Sequence, residues 1–571
     1  MGPARWTWIV GILVAPAMAA SACGGSGGSG SAQGTSSSSG PAATAEDVNP
    51  TDRSQLQDGG VLRWPIDSYP ANFNGNELDG TNASGAEVLG ALMPSMFNFD
   101  AAAQPTVNSD YITSGVLTAQ TPKEVVTYRI NPKAIWYDGT PITEADFEAQ
   151  WKALRGVDSA YKIASSNGYE KIESVAKGSD DREVVVTFAK PYVDWRGLFS
   201  FLYPASTNGS PSAFNDGWKG KPLTTAGPFK LGSIDLTAKT ITLVRNEKWW
   251  GRPARLGQII YRVIDPDAQI DSLANGEIDF MDVGPDVNKL KRAQTTAGVT
   301  LRRAGGPNFR HVTINGTSPI LSDVTVRRAV AMSINRATIA KALLGPLGGP
   351  AVPLGNHIFM ENQKGYQDNS GGAGTYDPTK AAALLDGAGW KLSGTQRSRG
   401  GKPLELRIVI PSGVATSQQE SELMLSMLAA VGIKLDIMTV PVGDFFDKYV
   451  TPGNFDLTVF SWLGTVFPIS SSQSIYANPK PAPGGGFDIQ QNYARTGSTQ
   501  IDMLFDEATA EFDPTKAIAL GNQIDSLIWQ EVHSLTLYQR PDIIATKSTL
   551  GNFGASGFAT LPFQDIGFVK K

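Results

Sequence analysis

Two periods run through the hydrophobic positions of this chain and divide it into predicted helices and strands. In residues 321–344, LSDVTVRRAVAMSINRATIAKALL, Val326, Ala329, Val330 and Ile334 recur at helical spacing. Asp323 stands before them as a cap, because its carboxylate can accept from the first free amides of a helix. Asn335 can cap a second, shorter helix with Ile339 and Leu343 on one face. Just upstream, residues 307–315, PNFRHVTIN, form a predicted extended segment. Further on, residues 405–411 (ELRIVIP) read as a strand. Residues 420–431 read as a helix with Met424, Met427, Leu428 and Val431 on one face, stopped by Gly432. Residues 434–440 are a second strand, 443–450 a short helix and 455–462, FDLTVFSW, a third strand. This β-α-β-α-β alternation predicts a parallel sheet covered by helices. Ligands of such sheets bind beyond the carboxyl ends of the strands, which is where Trp462-Leu463-Gly464-Thr465 falls.

The first half shows shorter strands, at residues 61–66 (VLRWPI), 125–130 (VVTYRI) and 183–188 (EVVVTF). Residues 72–85, NFNGNELDGTNASG, are a predicted loop rich in turn formers and side-chain amides. In residues 134–147, AIWYDGTPITEADF, Asp138-Gly139 makes a turn, and Thr143 with Asp146 approximates a capping box. Those duties account for the two carboxylates better than an acid/base pair would. Residues 501–529 are helical in pattern, with Ala508, Phe512 and Leu527 predicted to be buried, and 534–539 (SLTLYQ) form a last strand.

At 571 residues the chain is too long for one simple core, so two or more lobes are expected. The formal net charge is −5 and no Lys/Arg-rich run occurs, which argues against nucleic acid as a partner. One cysteine and three histidines (His311, His357, His533) leave no material for a disulfide framework or a structural zinc site within the chain. A lone histidine such as His311 or His533 reads as packed or capping rather than as a ligand. There is no Walker A sequence, no H-E-x-x-H and no Ser/His/Asp or Cys/His set, so no enzyme and no cofactor are expected.

Behind Arg5, the apolar run from Trp6 to Ala22 is short for a membrane span and ends in small residues, as export signals do. Residues 1–22 are therefore expected to be a signal peptide. Cys23 follows Ala20-Ser21-Ala22 and resembles the lipidated cysteine of a lipobox, with Ala20 where leucine is usual; an ordinary small-residue cleavage site is the other reading. Residues 24–40, GGSGGSGSAQGTSSSSG, open a polar low-complexity tether expected to reach residue 57. Its G-x-S-x-G lacks the strand and helix that a nucleophile elbow needs.

The order D-V-x-V-R-x-A-(x4)-I-N-R-x-x-I, from Asp323 to Ile339, resembles the helix pair that opens the second lobe of peptide- and nickel-binding proteins of bacterial ABC importers, solute-binding family 5. Trp136–Asp146, W-x-D-G-x-P-x-T-x-x-D, is similar to a second hallmark of that family. TAGPFKL, ITLVRNEKWW and LANGEID resemble three more segments in the correct order. The resemblance implies an α/β, two-lobed periplasmic-binding-protein fold of the large peptide-binding type, with the ligand cleft between the lobes. Lobe one would comprise residues 58–305 plus 535–571, with an inserted subdomain at about 100–222, and lobe two residues 306–534.

The same resemblance implies a set of ligand-binding positions. Asp79 and Gly80 come from the loop after the first strand, Asn308 and Phe309 from the hinge segment, and Trp462, Gly464 and Thr465 from the strand end. Asn492 and Tyr493 come from a segment that closes over the ligand, after the Pro/Gly-rich residues 478–486. Many peptide binders of the family carry W-x-x-D where this chain has Thr465, and there the aspartate pairs with the peptide's α-ammonium. A hydroxyl cannot neutralise a desolvated ammonium, whose burial without a counter-charge costs several kcal/mol. The amino-terminus pocket is then either absent or served by another acid such as Asp79.

The expected function is that of a monomeric, lipid-anchored binding protein on the extracytoplasmic face of the cell membrane, delivering a small solute to an ABC permease. Oligopeptide is the favoured solute, since the resemblance is greatest to oligopeptide-binding lipoproteins of mycobacteria and related actinobacteria. Oligosaccharide, haem or a metal chelate are the alternatives. A tethered hydrolase is the competing class, and Glu77 and Asp79 are the only close acids in the lining loop that it could use.

Overall fold

In the computed structural model, residues 45–482 and 485–570 are described. The predicted signal peptide, Cys23 and most of the predicted tether lie outside them. The tether was expected to reach residue 57, yet Asp47–Val48 pairs with Gly554–Ala555 as a short antiparallel ladder, and Leu56 is fully buried. Asp47 is held because its carboxylate accepts from Arg302 and from the Arg303 amide.

Lobe one is built on the strand Val61–Ile66, parallel to Gln258–Val263 and followed by Thr240–Arg245 and Phe229–Asp235 in antiparallel order. The inserted subdomain is a four-stranded antiparallel sheet, in the order Ile112–Ala119, Val125–Ile130, Glu183–Phe188, Ile172–Lys177. The helix Glu144–Leu154 packs on it. The Thr143 amide donates to Asp146 Oδ2 at 2.9 Å, while the Thr140 amide donates to Asp138 Oδ1 at 2.9 Å. Both carboxylates are thus in turn and cap roles, as the sequence indicates.

Lobe two carries a five-stranded sheet in the order Lys434–Val440, Glu405–Pro411, Leu457–Trp462, Phe309–Ile314, Ser534–Gln539. The first three strands are parallel, as their alternation with helices predicts, and Phe309–Ile314 pairs antiparallel with both its neighbours. Every residue of Phe309–Ile314 is buried. That burial forces its one cation, Arg310, into a buried pair: Nε donates to Glu420 Oε1 at 3.0 Å, and Tyr538 donates to the same carboxylate at 2.5 Å. The helices Val324–Ser333 and Arg336–Leu344 form as predicted, capped by Asp323 and Asn335.

Three expectations need correcting. Residues 501–529 are two helices, Thr499–Ala510 and Pro514–Glu531, because Asp513 caps the second and Pro514 cannot continue the first. Phe512 falls in the break and is 41% exposed rather than buried; Leu527 is half-buried, and Ala508 is buried as expected. The boundary expected at residue 535 lies inside a strand of the lobe-two sheet, so the chain returns to lobe one only after Gln539. There Asp542–Lys547 pairs with Val299–Ala304 and Phe280–Asp282. Two chain crossings, 304–309 and 539–542, thus run side by side. Val312 and Tyr538 share one buried apolar cluster with Ile543 and Ala545 across them.

Candidate functional site

Between the lobes lies a cavity of about 670 Å³ lined by residues of both. On the lobe-one side the loop after the first strand is organised by a buried carboxylate. Glu77 Oε2 accepts from Asn72 Nδ2 at 3.1 Å, from the Asp79 amide at 2.9 Å and from the Gly80 amide at 3.2 Å. Burial, then the neighbouring Asp79, pushes its pKa up to about 7. Gly80 is required by close approach: a Cβ there would stand 2.0 Å from the Asn74 carbonyl oxygen. Asn82 then caps the helix Ala83–Gly90 through the Gly85 amide at 2.8 Å. Asp79 and Gly80 are on the cavity wall.

Lobe two supplies an aromatic wall. Trp462 and Tyr493 stack at 5.7 Å with their planes within 3° of parallel. Phe460 meets Trp462 edge-on at 5.2 Å, and Phe446 meets Phe460 at 5.3 Å. Asn308 and Phe309 line the cavity beside the crossings, where the Asn308 carbonyl accepts from the Arg540 amide at 2.7 Å. Gly464 permits the strand end to lie against the crossing, since a Cβ would meet the Pro307 carbonyl oxygen at 2.0 Å.

Thr465 lines the cavity, but its hydroxyl is already engaged. It donates to Ser471 Oγ at 2.8 Å and accepts from the Phe467 amide at 3.1 Å, fastening the start of the helix Pro468–Tyr476. Asn492 is a correction: it is fully buried and off the cavity wall. Its side chain is turned inward, where it donates to the carbonyls of Ala477 (2.7 Å) and Thr496 (2.6 Å) and meets His533 Nε2 at 3.0 Å. It holds the loop that presents Tyr493.

His311 and His533 are packed away from the cavity, and His357 is on its lining. His311 lies behind Trp462, with its Nε2 2.8 Å from Thr313 Oγ1. Burial, reinforced by Arg310, pushes its pKa well down. Burial pushes His533 down to about 3. His357 lies against Asp525 at 2.7 Å. Among the described residues no group of three or more His, Cys, Asp or Glu could hold a metal ion.

Sequence reasoning missed much of the wall. Phe460 was within reach, since in a strand it shares a face with Trp462 two residues on. Asp67, Glu87, Asp282, Asp447 and Arg540 carried no local signal. Asp67 is open to the cavity yet deep in the protein, and burial, then Asp282, raises its pKa. Glu87 accepts from Trp64 Nε1 at 3.0 Å and is pushed up to about 8 by burial and by Asp67. Of the cations on the wall, Arg310 is spent on Glu420 and Arg540 on Asp282 at 2.5 Å, and Lys289 is the third. Glu77 is inside the loop rather than opposite Asp79, so the two form no facing acid pair.

Residues 109–483 match the family model of bacterial extracellular solute-binding proteins, family 5 Middle. The chain belongs to that family. It is 42% identical over 570 residues to the oligopeptide-binding protein OppA of Mycobacterium tuberculosis, covering 99% of this chain and 94% of that one. Among solved structures, the periplasmic EDTA-binding protein EppA is 27% identical with a TM-score of 0.80, covering 93% of this chain and all of the other. AppA from Bacillus subtilis, in complex with a nonapeptide, shares the fold at a TM-score of 0.77 and 18% identity, covering 90% of this chain and all of the other. A family 5 solute-binding protein is a binder and not an enzyme, and its fold is the two-lobed α/β fold expected from the resemblance. No described helix is long and apolar enough to cross a membrane.

Proposed function

We propose that this protein captures oligopeptides outside the cytoplasm and delivers them to an ABC permease, as a monomer anchored by a lipid on Cys23. The observation that carries the reading is the cavity between the lobes. Its volume of about 670 Å³ lies within the usual range of about 300–1,000 Å³ for ligand sites, and it combines an aromatic wall with polar and charged groups from both lobes. The 42% identity to an oligopeptide-binding OppA along nearly the whole chain supports peptide over the other solutes. Trp462, Tyr493, Phe309 and Gly464 would give area and close backbone approach, while Asp79, Gly80 and Asn308 would meet the ligand's polar groups. Thr465 would shape the wall through its backbone, because its hydroxyl is engaged at the start of a helix.

Mass spectrometry of solute carried through purification tests this directly. Peptides of several residues are expected; a saccharide, haem or metal chelate in their place overturns the ligand assignment. Cys23→Ala should release the protein from the membrane fraction or leave an uncleaved precursor, and a correctly processed mutant still retained there would refute the anchor.

A further inference from the structure

Away from the cavity, the inserted subdomain of lobe one and the helices of lobe two touch at a rim. The helix Thr499–Ala510 of lobe two presents Asp506, and two lysines of the subdomain reach it. Lys171, whose side chain is 3% exposed, is bound to Asp506 Oδ1, and Lys190 Nζ stands 3.7 Å from Oδ2. On the same helix the Thr509 carbonyl is among the last four, which have no partner within a helix. It accepts instead from the Val193 amide of lobe one at 2.9 Å. Asn167 Nδ2 donates to the Ser470 carbonyl at 2.6 Å, and the Phe99 ring meets Phe467 edge-on at 5.5 Å.

None of these rim residues lines the cavity. Each of their bonds joins one lobe to the other, so each exists only while the lobes are together. Once Asp506 is gone, an ammonium as enclosed as that of Lys171 loses its bonded carboxylate and keeps only the electrostatic influence of the neighbouring Glu170, so opening the rim to water becomes less costly. Apparent affinity for any solute scales with the population of the closed, binding-competent state.

We propose that Lys171, Lys190 and Val193 of lobe one and Asp506 and Thr509 of lobe two form a latch that sets how long a solute is retained without touching it. They are positioning residues for binding. The latch deepens the solute-binding reading and is independent of which solute is bound.

The test uses Asp506→Asn, a substitution on a half-exposed helix position that preserves shape and the fold. In the mature protein, hydrogen exchange at the Val193 amide should speed by about tenfold, and the ligand-free radius of gyration should rise. A fluorescein-labelled nonapeptide should leave about three- to tenfold faster with little change in its association rate, as loss of a buried charge partner acts mainly on release. Asp506→Glu should restore all three readouts, and Lys190→Met should give the same changes in weaker form. Unchanged Val193 exchange and scattering in Asp506→Asn would overturn the latch. If the labelled peptide fails to bind even the wild type, the oligopeptide assignment fails, while exchange and scattering still decide the latch.

Discussion

The two walls of the cavity are made of different material. Lobe two offers rings, Phe446, Phe460, Trp462 and Tyr493, backed by a sheet strand whose every residue is buried. Lobe one offers mainly charged groups, the carboxyl groups of Asp67, Asp79, Glu87 and Asp282 with the ammonium of Lys289, on loops, a strand end and helices, while lobe two adds the carboxyl group of Asp447. The difference follows from what each wall stands on. The polar side chains of that buried strand are engaged within the protein, Arg310 by Glu420 and His311 beside Thr313. The lobe-one loop is held by side-chain hydrogen bonds to Glu77, so its polar groups are structural before they are available to a ligand.

The largest test removes the support of the aromatic wall. Glu420→Ala leaves the Arg310 guanidinium buried without a counter-charge, and urea unfolding should show a loss of about 3–5 kcal/mol. A loss below about 1 kcal/mol would mean that the pair does not support the wall. Next comes the wall itself. Trp462→Ala should weaken peptide binding by about 2 kcal/mol or more in calorimetric titration, as expected of a buried aromatic anchor. An equal effect from Asp79→Asn would erase the distinction between the walls.

A smaller effect separates the lobes by pH. Glu77 and Glu87 hold their protons to about 7 and about 8, against 4.5 when unfolded. The stability they contribute is fully present below about 4.5 and is lost as pH rises through those values. His533 runs the other way, with a folded value of about 3 against 6.5 unfolded. Its contribution is present above 6.5 and is lost as pH falls toward 3. Hydrogen exchange between pH 5 and 8 should therefore show lobe one loosening as pH rises and lobe two loosening as it falls, and Glu87→Gln should reduce the lobe-one response while leaving the part due to Glu77. A common pH response of both lobes would contradict this assignment.

The smallest expected difference concerns the peptide amino terminus. With Thr465 engaged at a helix start, free and acetylated forms of one peptide should bind within about tenfold, or about 1.4 kcal/mol. If acetylation abolishes binding, and Asp79→Asn does the same, the ammonium belongs to the lobe-one wall.

Local rules were legible in the sequence and assembled surfaces were not. The caps Asp323 and Asn335, the Asp146 half of the capping box and the parallel strands of lobe two each depend on residues close in sequence, and each formed as read. Gly464 and Trp462 were legible because strand ends of such sheets face ligands. Phe512 was misread because its helical spacing was followed across Asp513-Pro514, a start signal that ends the earlier pattern. Asn492 was misplaced by one residue's orientation: its neighbours Gln491 and Tyr493 are on the wall, while its own amide answers groups inside. Asp67, Glu87 and Asp447 meet in the cavity from distant parts of the chain, and no spacing rule joins them.

Asp47–Val48 adds one consequence for the molecule at work. By pairing with Gly554–Ala555, this segment ties the incoming chain to lobe one, the lobe that also holds the carboxyl-terminal residues. Among the described residues the chain thus both begins and ends on lobe one, and lobe two is joined to it only through the segments between.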